Sequence, residues 1–322
     1  MTAHARGRAR TWAGPTRRGP IVVIGSANMD LVCRVESRPG PGETVLGGDL
    51  MTVPGGKGAN QAVAAARLGA EVHFIGRVGD DGFGRQLLAG LRRDKVRTGH
   101  TLVSEGVASG CALILVDPRG ENSIVVAPGA NHHLAPADID AAKELLARAS
   151  VVVMQLEVPL KTVRYAIGRC RRLGTFTILD PAPAPSKGLA GAFYGVDILT
   201  PNEGEARALL GRGGRSSSAL RAGQALRDLG PRAVVMKLGE RGAMIVRDQA
   251  IEVPGYRVKV VDTTAAGDAF TAALAVALSE GRDLPEAVRW ANAAGALCCQ
   301  GFGAQPSLPQ RSLVDALVAG VR

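Results

Sequence analysis

Residues 262–270 read Asp262-Thr263-Thr264-Ala265-Ala266-Gly267-Asp268-Ala269-Phe270, and Ala272 to Leu278 follow as an apolar run of strong helix formers. Before them, Tyr256 to Val261 alternates apolar and polar residues with the period of a strand. The stretch reads as a strand that ends in a tight turn and opens a helix with an acid in its first turn. A helix N-terminus leaves backbone N–H groups without intrahelical partners and carries partial positive charge. With only Ala265, Ala266 and Gly267 in the turn, an anion can approach the backbone closely, and the carboxylate of Asp268 stands beside it to take a proton from a hydroxyl. The plainer reading is that Asp268 favours the helix dipole and Gly267 makes the turn; nine residues leave both open.

Working outward, strand-like and helix-like stretches alternate. Ile21 to Gly25, Val72 to Gly76, Val151 to Leu156, Phe176 to Leu179, Ile198 to Leu199 and Ala233 to Leu238 read as strands. Between and beside them Ala62 to Leu68, Gly84 to Asp94, Ala137 to Ala149, Leu160 to Leu173, Asn202 to Leu210 and Ala219 to Leu229 read as helices. Val151 to Leu156 is continuously apolar apart from Gln155, as a parallel strand buried on both faces should be. Repeated strand–helix units predict an α/β fold with a doubly wound, mostly parallel sheet sandwiched by helices. Residues 31–53 and 110–127, the latter a hairpin around Asp117-Pro118-Arg119-Gly120, lack crossover helices and predict a small separate sheet, with a lid as the natural hypothesis. Gly211 to Ser218 reads as a soft insertion.

A chain of 322 residues with 46% hydrophobic residues is long enough for a large core, and aromatics at 3% mean that this core is packed with aliphatic side chains. Of the net charge of +10, half lies in residues 1–20, where Arg6, Arg8, Arg10, Arg17 and Arg18 meet no acid. We therefore expect a basic disordered tail over 1–20 and one domain over 21–322. The mildly positive body suits anionic substrates such as nucleotides; basic and aromatic residues are not interleaved, which argues against nucleic acid. Five scattered cysteines, Cys33, Cys111, Cys170, Cys298 and Cys299, read as reduced thiols of a cytoplasmic protein. No apolar run is long enough to span a membrane and the start has no secretory h-region.

Other short motifs suggest a ligand site. Gly55-Gly56-Lys57-Gly58-Ala59-Asn60 is neither a Walker A loop nor a dinucleotide fingerprint; its glycines let the backbone approach a small polar ligand, or simply turn the chain into the next helix. Asn28 and Asp30 alternate at a strand end, where a carboxylate can accept from vicinal hydroxyls. Glu157 follows an apolar strand, and ligands of such sheets bind outside the carboxyl ends of the strands. Asn202 and Glu205 have the spacing of a capping box, and equally Glu205 could hold Mg²⁺ through water. His132-His133 has no third ligand in view, and Cys298-Cys299 reads as helix packing.

Taken in order, GSANMD, GGKGANQA, DDGFG, QLEVP, PAPA, PNEGE, KLGERG, DTTAAGDAF and GAQPS resemble the ribokinase-like family of sugar and nucleoside kinases, from about residue 20 to the C-terminus. The resemblance implies a ribokinase-like fold with a β-sheet lid, a homodimer, and ATP-dependent phosphorylation of a sugar, D-ribose at O5 being the expected acceptor. By similarity Asp268 is the catalytic base, and Ala265, Ala266 and Gly267 form the anion hole. Asn28, Asp30, Gly56, Lys57, Asn60 and Glu157 line the sugar site, while Asn202, Lys237, Gly239, Gly242, Gly267 and Asn292 contact ATP. Glu205 positions Mg²⁺, and Asp262, Thr264, Cys298, Gly301, Gly303 and Ser307 match a K⁺ site, several of them through backbone oxygens.

Two residues depart from the family pattern, Lys237 where Thr is common and Asp180 where Asn is common; the basic extension has no counterpart. Other acceptors, namely deoxyribose, fructose or a nucleoside such as adenosine, keep the same chemistry. The alternatives of another class are a non-catalytic sugar-binding regulator and a nucleic-acid-associated protein that uses the tail.

Overall fold

The computed structural model describes residues 13–211 and 218–320. The first half of the chain runs β1 (Ile21–Ile24), β2 (Asn28–Arg34), β3 (Met51–Gly55), α1 (Lys57–Arg67), β4 (Val72–Gly79), α2 (Gly82–Arg93), β5 (Arg97–Ser104), β6 (Gly110–Val116), β7 (Asn122–Ala127), α3 (Pro136–Ala141), α4 (Lys143–Arg148) and β8 (Val151–Met154). The second half runs α5 (Leu160–Leu173), β9 (Phe176–Leu179), β10 (Ile198–Leu199), α6 (Glu203–Leu210), α7 (Ala219–Asp228), β11 (Ala233–Lys237), β12 (Ala243–Val246), β13 (Ala250–Val253), α8 (Ala266–Ser279), α9 (Leu284–Cys298), α10 (Ala304–Ser307) and α11 (Arg311–Val318).

Nine strands form the main sheet in the order β13-β12-β11-β10-β9-β8-β1-β4-β5, parallel from β11 to β5 and antiparallel at β12 and β13. Strand β1 is apolar at every position because it is covered on both faces: Ile21 and Val23 pack into one core with α1, α8 and α9, and Val22 and Ile24 into the other with α4 and α5. Fully burying side chains of this kind is worth about 1.5–3 kcal/mol each. The order reverses at β1, whose neighbours are β4 on one side and β8 on the other. A crevice at the carboxyl ends of β1 and β8 follows from that reversal.

The second sheet has the order β3-β2-β6-β7 and is mixed, with β2 and β6 parallel and the outer pairs antiparallel. The chain leaves β1 directly into β2 and returns from β3 directly into α1, then leaves β5 for β6 and returns from β7, so the small sheet stands over the crevice on four short connections, Gly25–Ala27, Gly56, Glu105–Ser109 and Pro128.

Several sequence expectations need correction. Tyr256 to Val261 forms no strand: the edge strand β13 stops at Val253, Pro254 has no N–H to extend the ladder, and the segment crosses the surface as a loop. The helix expected over 137–149 is two pieces that break at Ala142. The tail expected to be disordered over 1–20 divides: 1–12 lies outside the described residues, and from 13 the chain lies against the body. Arg17 donates to the carbonyls of Ala147 and Leu173 and to Thr175 Oγ1, and the Pro20 carbonyl accepts from Ser150 N. Most of the soft insertion, 212–217, also lies outside the described residues.

Candidate active site

Asp268 lies in the first turn of α8 and is almost fully buried. Its two carboxylate oxygens are held separately: Oδ2 accepts from Asn60 Nδ2 at 3.0 Å and Oδ1 from Gln61 Nε2 at 3.0 Å. Both donors come from the first turn of α1, which the Gly55-Gly56 turn aims at α8. Burial drives the Asp268 carboxyl up to about 6, against the attraction of Lys57 and the two amide bonds, with the nearby Asp180 charge adding to the rise. A base that titrates there is deprotonated at neutral pH and basic enough to accept a proton.

The turn before it is built for an anion. Ala265 adopts the left-handed conformation (φ 60°, ψ 5°), which a non-glycine residue holds only under constraint, and no side chain caps α8. The N–H groups of Gly267 and Asp268 therefore point out of the helix start without a capping partner.

On the other side of Asp268 the predicted sugar residues converge. Asp30, at the end of the crevice on β2, is buried, and its carboxylate accepts no hydrogen bond among the described residues. Burial raises its carboxyl to about 7, helped by the charges of Glu157 and Asp268. Gly55 packs against it so closely that a Cβ there would stand 2.2 Å from Asp30 Oδ2. Glu157 accepts from Ser26 Oγ and, at 2.9 Å, from Lys57 N, which ties β8 to the start of α1. Asn60 Oδ1 is buried with no partner, an acceptor aimed into the site. Lys57 has its ammonium raised by the Asp268 charge above all, burial opposing it.

Gly56 adopts φ 85°, and a Cβ on it would meet Asn28 N at 2.6 Å; the glycine lets α1 begin against the β1–β2 connection. Asn28 Oδ1 accepts from Asn131 Nδ2 at 2.7 Å, leaving its amide free to donate to a ligand.

Five of the six expected nucleotide residues line a separate cavity of about 870 Å³, and Asn202 is not on its wall. Lys237, Gly239, Gly242, Gly267 and Asn292 are all on its wall, with Tyr256, Val258 and Val260 from the loop that was expected to be a strand. The alternation of that loop is real, but its apolar side chains face a cavity instead of a core. Asn292 Nδ2 donates to the carbonyls of Val253 and Pro254, so its amide fixes the loop's departure from β13. Asn202 and Glu205 form the reciprocal capping box: Glu205 N donates to Asn202 Oδ1 and Asn202 N to Glu205 Oε2. The second oxygen of Glu205 is uncommitted, which fits one carboxylate acting through water on a hydrated Mg²⁺. Among the described residues no three His, Cys, Asp or Glu side chains cluster to hold a metal ion.

The six residues matched to a K⁺ site also come together. Asp262 Oδ1 accepts from Thr264 N and Oγ1, and Oδ2 accepts from Gly303 N. Burial would raise the Asp262 carboxyl, but these hydrogen bonds prevail and hold it below its ordinary value. Gly301 packs on Ser307. Cys298 Sγ lies 3.5 Å from the Thr264 carbonyl, to which it donates, and 3.1 Å from Ser307 Oγ. The oxygens of Asp262, Thr264 and Ser307 suit a hard monovalent cation; the Cys298 sulfur does not.

Two positioning residues escaped the sequence reading. Gln61 splits its amide between Asp268 and Asp180 and accepts from Gln155 Nε2, and Asn131 holds Asn28 while its Oδ1 accepts from Ala27 N at 2.9 Å. Gln61 was visible only as the residue after the GGKGAN run, and Asn131 only as a neighbour of His132-His133. Those histidines are exposed and contribute nothing to the site.

The family model described as pfkB family carbohydrate kinase matches residues 19–311. Ribokinase of Bacillus subtilis (strain 168) is 42% identical over 303 residues, 93% of this chain and 99% of that protein. Deoxyribokinase of Salmonella typhi is 37% identical over 291 residues, 90% of this chain and 95% of that one. Among solved structures, Arabidopsis thaliana ribokinase complexed with ribose and ATP superimposes with a TM-score of 0.83 at 32% identity, covering 93% of this chain and 98% of that one. With an acid at a capless helix start, a polar crevice on one side of it and a cavity on the other, the chain belongs to the pfkB family of carbohydrate kinases.

Proposed function

We infer that this chain transfers the γ-phosphoryl group of ATP to O5 of D-ribose, giving D-ribose 5-phosphate and ADP. The observation that carries the reading is the place of Asp268 between the crevice of Asp30, Asn60 and Glu157 and the cavity of Gly267 and Asn292. Asp30 accepts from vicinal sugar hydroxyls, Asn28 donates its free amide, and Asn60 Oδ1 takes a further hydroxyl. Asp268 removes the O5 proton as that oxygen attacks the γ-phosphorus; the O5–P bond forms, the bond to the β-phosphate oxygen breaks, and ADP leaves with that electron pair. The N–H groups of Gly267 and Asp268, at the end of the Ala265-Ala266-Gly267 turn, meet the charge that develops on the phosphoryl oxygens.

Glu205, through water, is the residue to hold Mg²⁺ beside the triphosphate, and Asp262, Thr264 and Ser307, with backbone oxygens of the 298–303 segment, are those to hold K⁺. Bound there, the two cations offset phosphate charge and order the turn. The apolar outer face of the small sheet supports a homodimer, and the absence of any described helix long and apolar enough to cross a membrane, with five free thiols, supports work in the cytoplasm.

The test is ADP release with Mg²⁺-ATP across ribose, 2-deoxyribose, fructose and adenosine, with and without K⁺. Turnover greatest with ribose and raised by K⁺ is expected; preference for 2-deoxyribose, in line with the deoxyribokinase relative, would keep the mechanism and change the acceptor. Ribose binding without turnover of any acceptor would favour a regulator instead.

A further inference from the structure

The two residues that depart from the family pattern are partners. Lys237 Nζ donates to Asp180 Oδ1 at 2.8 Å, and the two side chains are 14% and 2% exposed. Glu205 lies further off, 3.9 Å from the same ammonium. Asp180 Oδ2 accepts from Gln61 Nε2, the same nitrogen that holds Asp268 Oδ1. An unbroken polar chain therefore runs from the base through Gln61 and Asp180 to Lys237. At its far end Lys237, the last residue of β11, faces the anion-binding turn: a Cβ built on Gly267 would stand 3.3 Å from its Nζ.

We propose that Lys237 is a catalytic residue whose ammonium leaves Asp180 for the phosphates of ATP when nucleotide binds, and that Asp180 holds it at the anion hole until then. This rests on the kinase reading above. A compact ammonium on a flexible stem is suited to such a transfer, since it carries its charge from one anion to another without the fixed fork of an arginine. A polyphosphate entering beside Gly267 brings more negative charge than one carboxylate, so it outcompetes Asp180 for the cation. Asp180 is not left bare, because Gln61 still donates to it and Lys57 lies near enough for its charge to be felt. In the transition state the same ammonium offsets charge on the transferred group, next to the backbone amides.

Two variants test this, Lys237→Met and the double variant Asp180→Asn/Lys237→Met, which removes both charges and so leaves no buried carboxylate unpaired. We expect turnover to fall about 10²- to 10³-fold in both, with ribose affinity within about threefold of wild type. Affinity for a non-hydrolysable ATP analogue should fall about tenfold or more in both, with adenosine affinity unchanged. Recovery of turnover and analogue affinity in the double variant would overturn the proposal, since Lys237 would then serve only to neutralise Asp180. A wild-type chain that turned over no acceptor would defeat the kinase reading; the comparison of analogue with adenosine would still decide where the ammonium goes. If Lys237→Met alone fails to fold, the double variant carries the test.

Discussion

At the residue scale the site is governed by two carboxyls that burial has shifted upward, and their consequences separate. Asp268 must be ionised to accept a proton and Asp30 to accept from both hydroxyls, so kcat/KM should rise with pH through about 6 and about 7 and level off above, the lower step set by Asp268. Asp268→Asn keeps the shape and loses the base: ribose affinity should stay within a few-fold while turnover drops on the order of 10² or more, and the lower step should vanish while that of Asp30 stays. Asp30 acts differently. Its carboxyl is about 7 in the folded chain against 3.8 as its ordinary value, so the folded state holds a proton that the unfolded state releases between those pH values. The contribution of Asp30 to stability is thus full below about pH 4 and is lost as pH rises toward 7. Asp30→Asn removes that loss. Thermal unfolding of the ligand-free variant at pH 8 should lie above wild type, by on the order of 1 kcal/mol or more, while its KM for sugar rises at least tenfold. A variant that was both less stable and normal in KM would show that Asp30 has a structural role and does not bind sugar.

At the element scale two glycines that look alike in sequence do opposite work. Gly56 turns the chain into α1 at φ 85° with backbone of residues 27 and 28 within 3 Å of any added Cβ, so Gly56→Ala should lower Tm strongly and sugar affinity with it. Gly267 sits in the first turn of α8, where an added Cβ meets only the flexible end of Lys237. Alanine is the better helix former, so Gly267→Ala should leave Tm unchanged or slightly raised, yet cut turnover tenfold or more because the methyl group occupies the anion's approach. Calorimetry and steady-state kinetics on the two variants check both halves.

The same elements show where reading the chain succeeded. Helix α5 and strand β9 lie where the sequence places them, because an apolar stripe of period near 3.6 and a four-residue apolar run each have one way to be buried. Strand β5 was missed because Arg97 to Ser104 is an edge strand, half wet and mixed in composition; β12 and β13 were missed because they pair through a short turn without its usual Asn-Gly signal. Tyr256 to Val261 failed for a deeper reason: alternation reports that one side meets an apolar environment, and says nothing about whether that is a core or a ligand cavity. The carboxylates and glycines of the site were legible as motifs. Gln61, Asn131 and the Asp180–Lys237 pair were not, since partners 119, 103 and 57 positions apart meet only after the sheet is assembled.

At the scale of the whole molecule the open question is what covers the small sheet. Its inner face, with Asp30, Val32, Ile114 and Ile124, lines the crevice. Its outer face carries Leu113 and Val125, cross-strand neighbours on β6 and β7 that are 51% and 65% exposed. Two adjacent bare aliphatics on the last two strands of a sheet are costly in water, and a second copy presenting the same face would bury both by a two-fold contact. Leu113→Asp/Val125→Lys places opposite charges on that face and leaves every crevice residue in place. Opposite charges on neighbouring strands pair within one chain, so the lid itself should persist, whereas a two-fold partner would bring desolvated ions against its own copy. Light scattering should then report half the wild-type mass, and KM for sugar should rise several-fold because a lid held only by short connections at its base loses its outer support. An unchanged mass would remove this face as a dimer contact; a halved mass with unchanged KM would mean that each lid closes over its crevice without help from the partner.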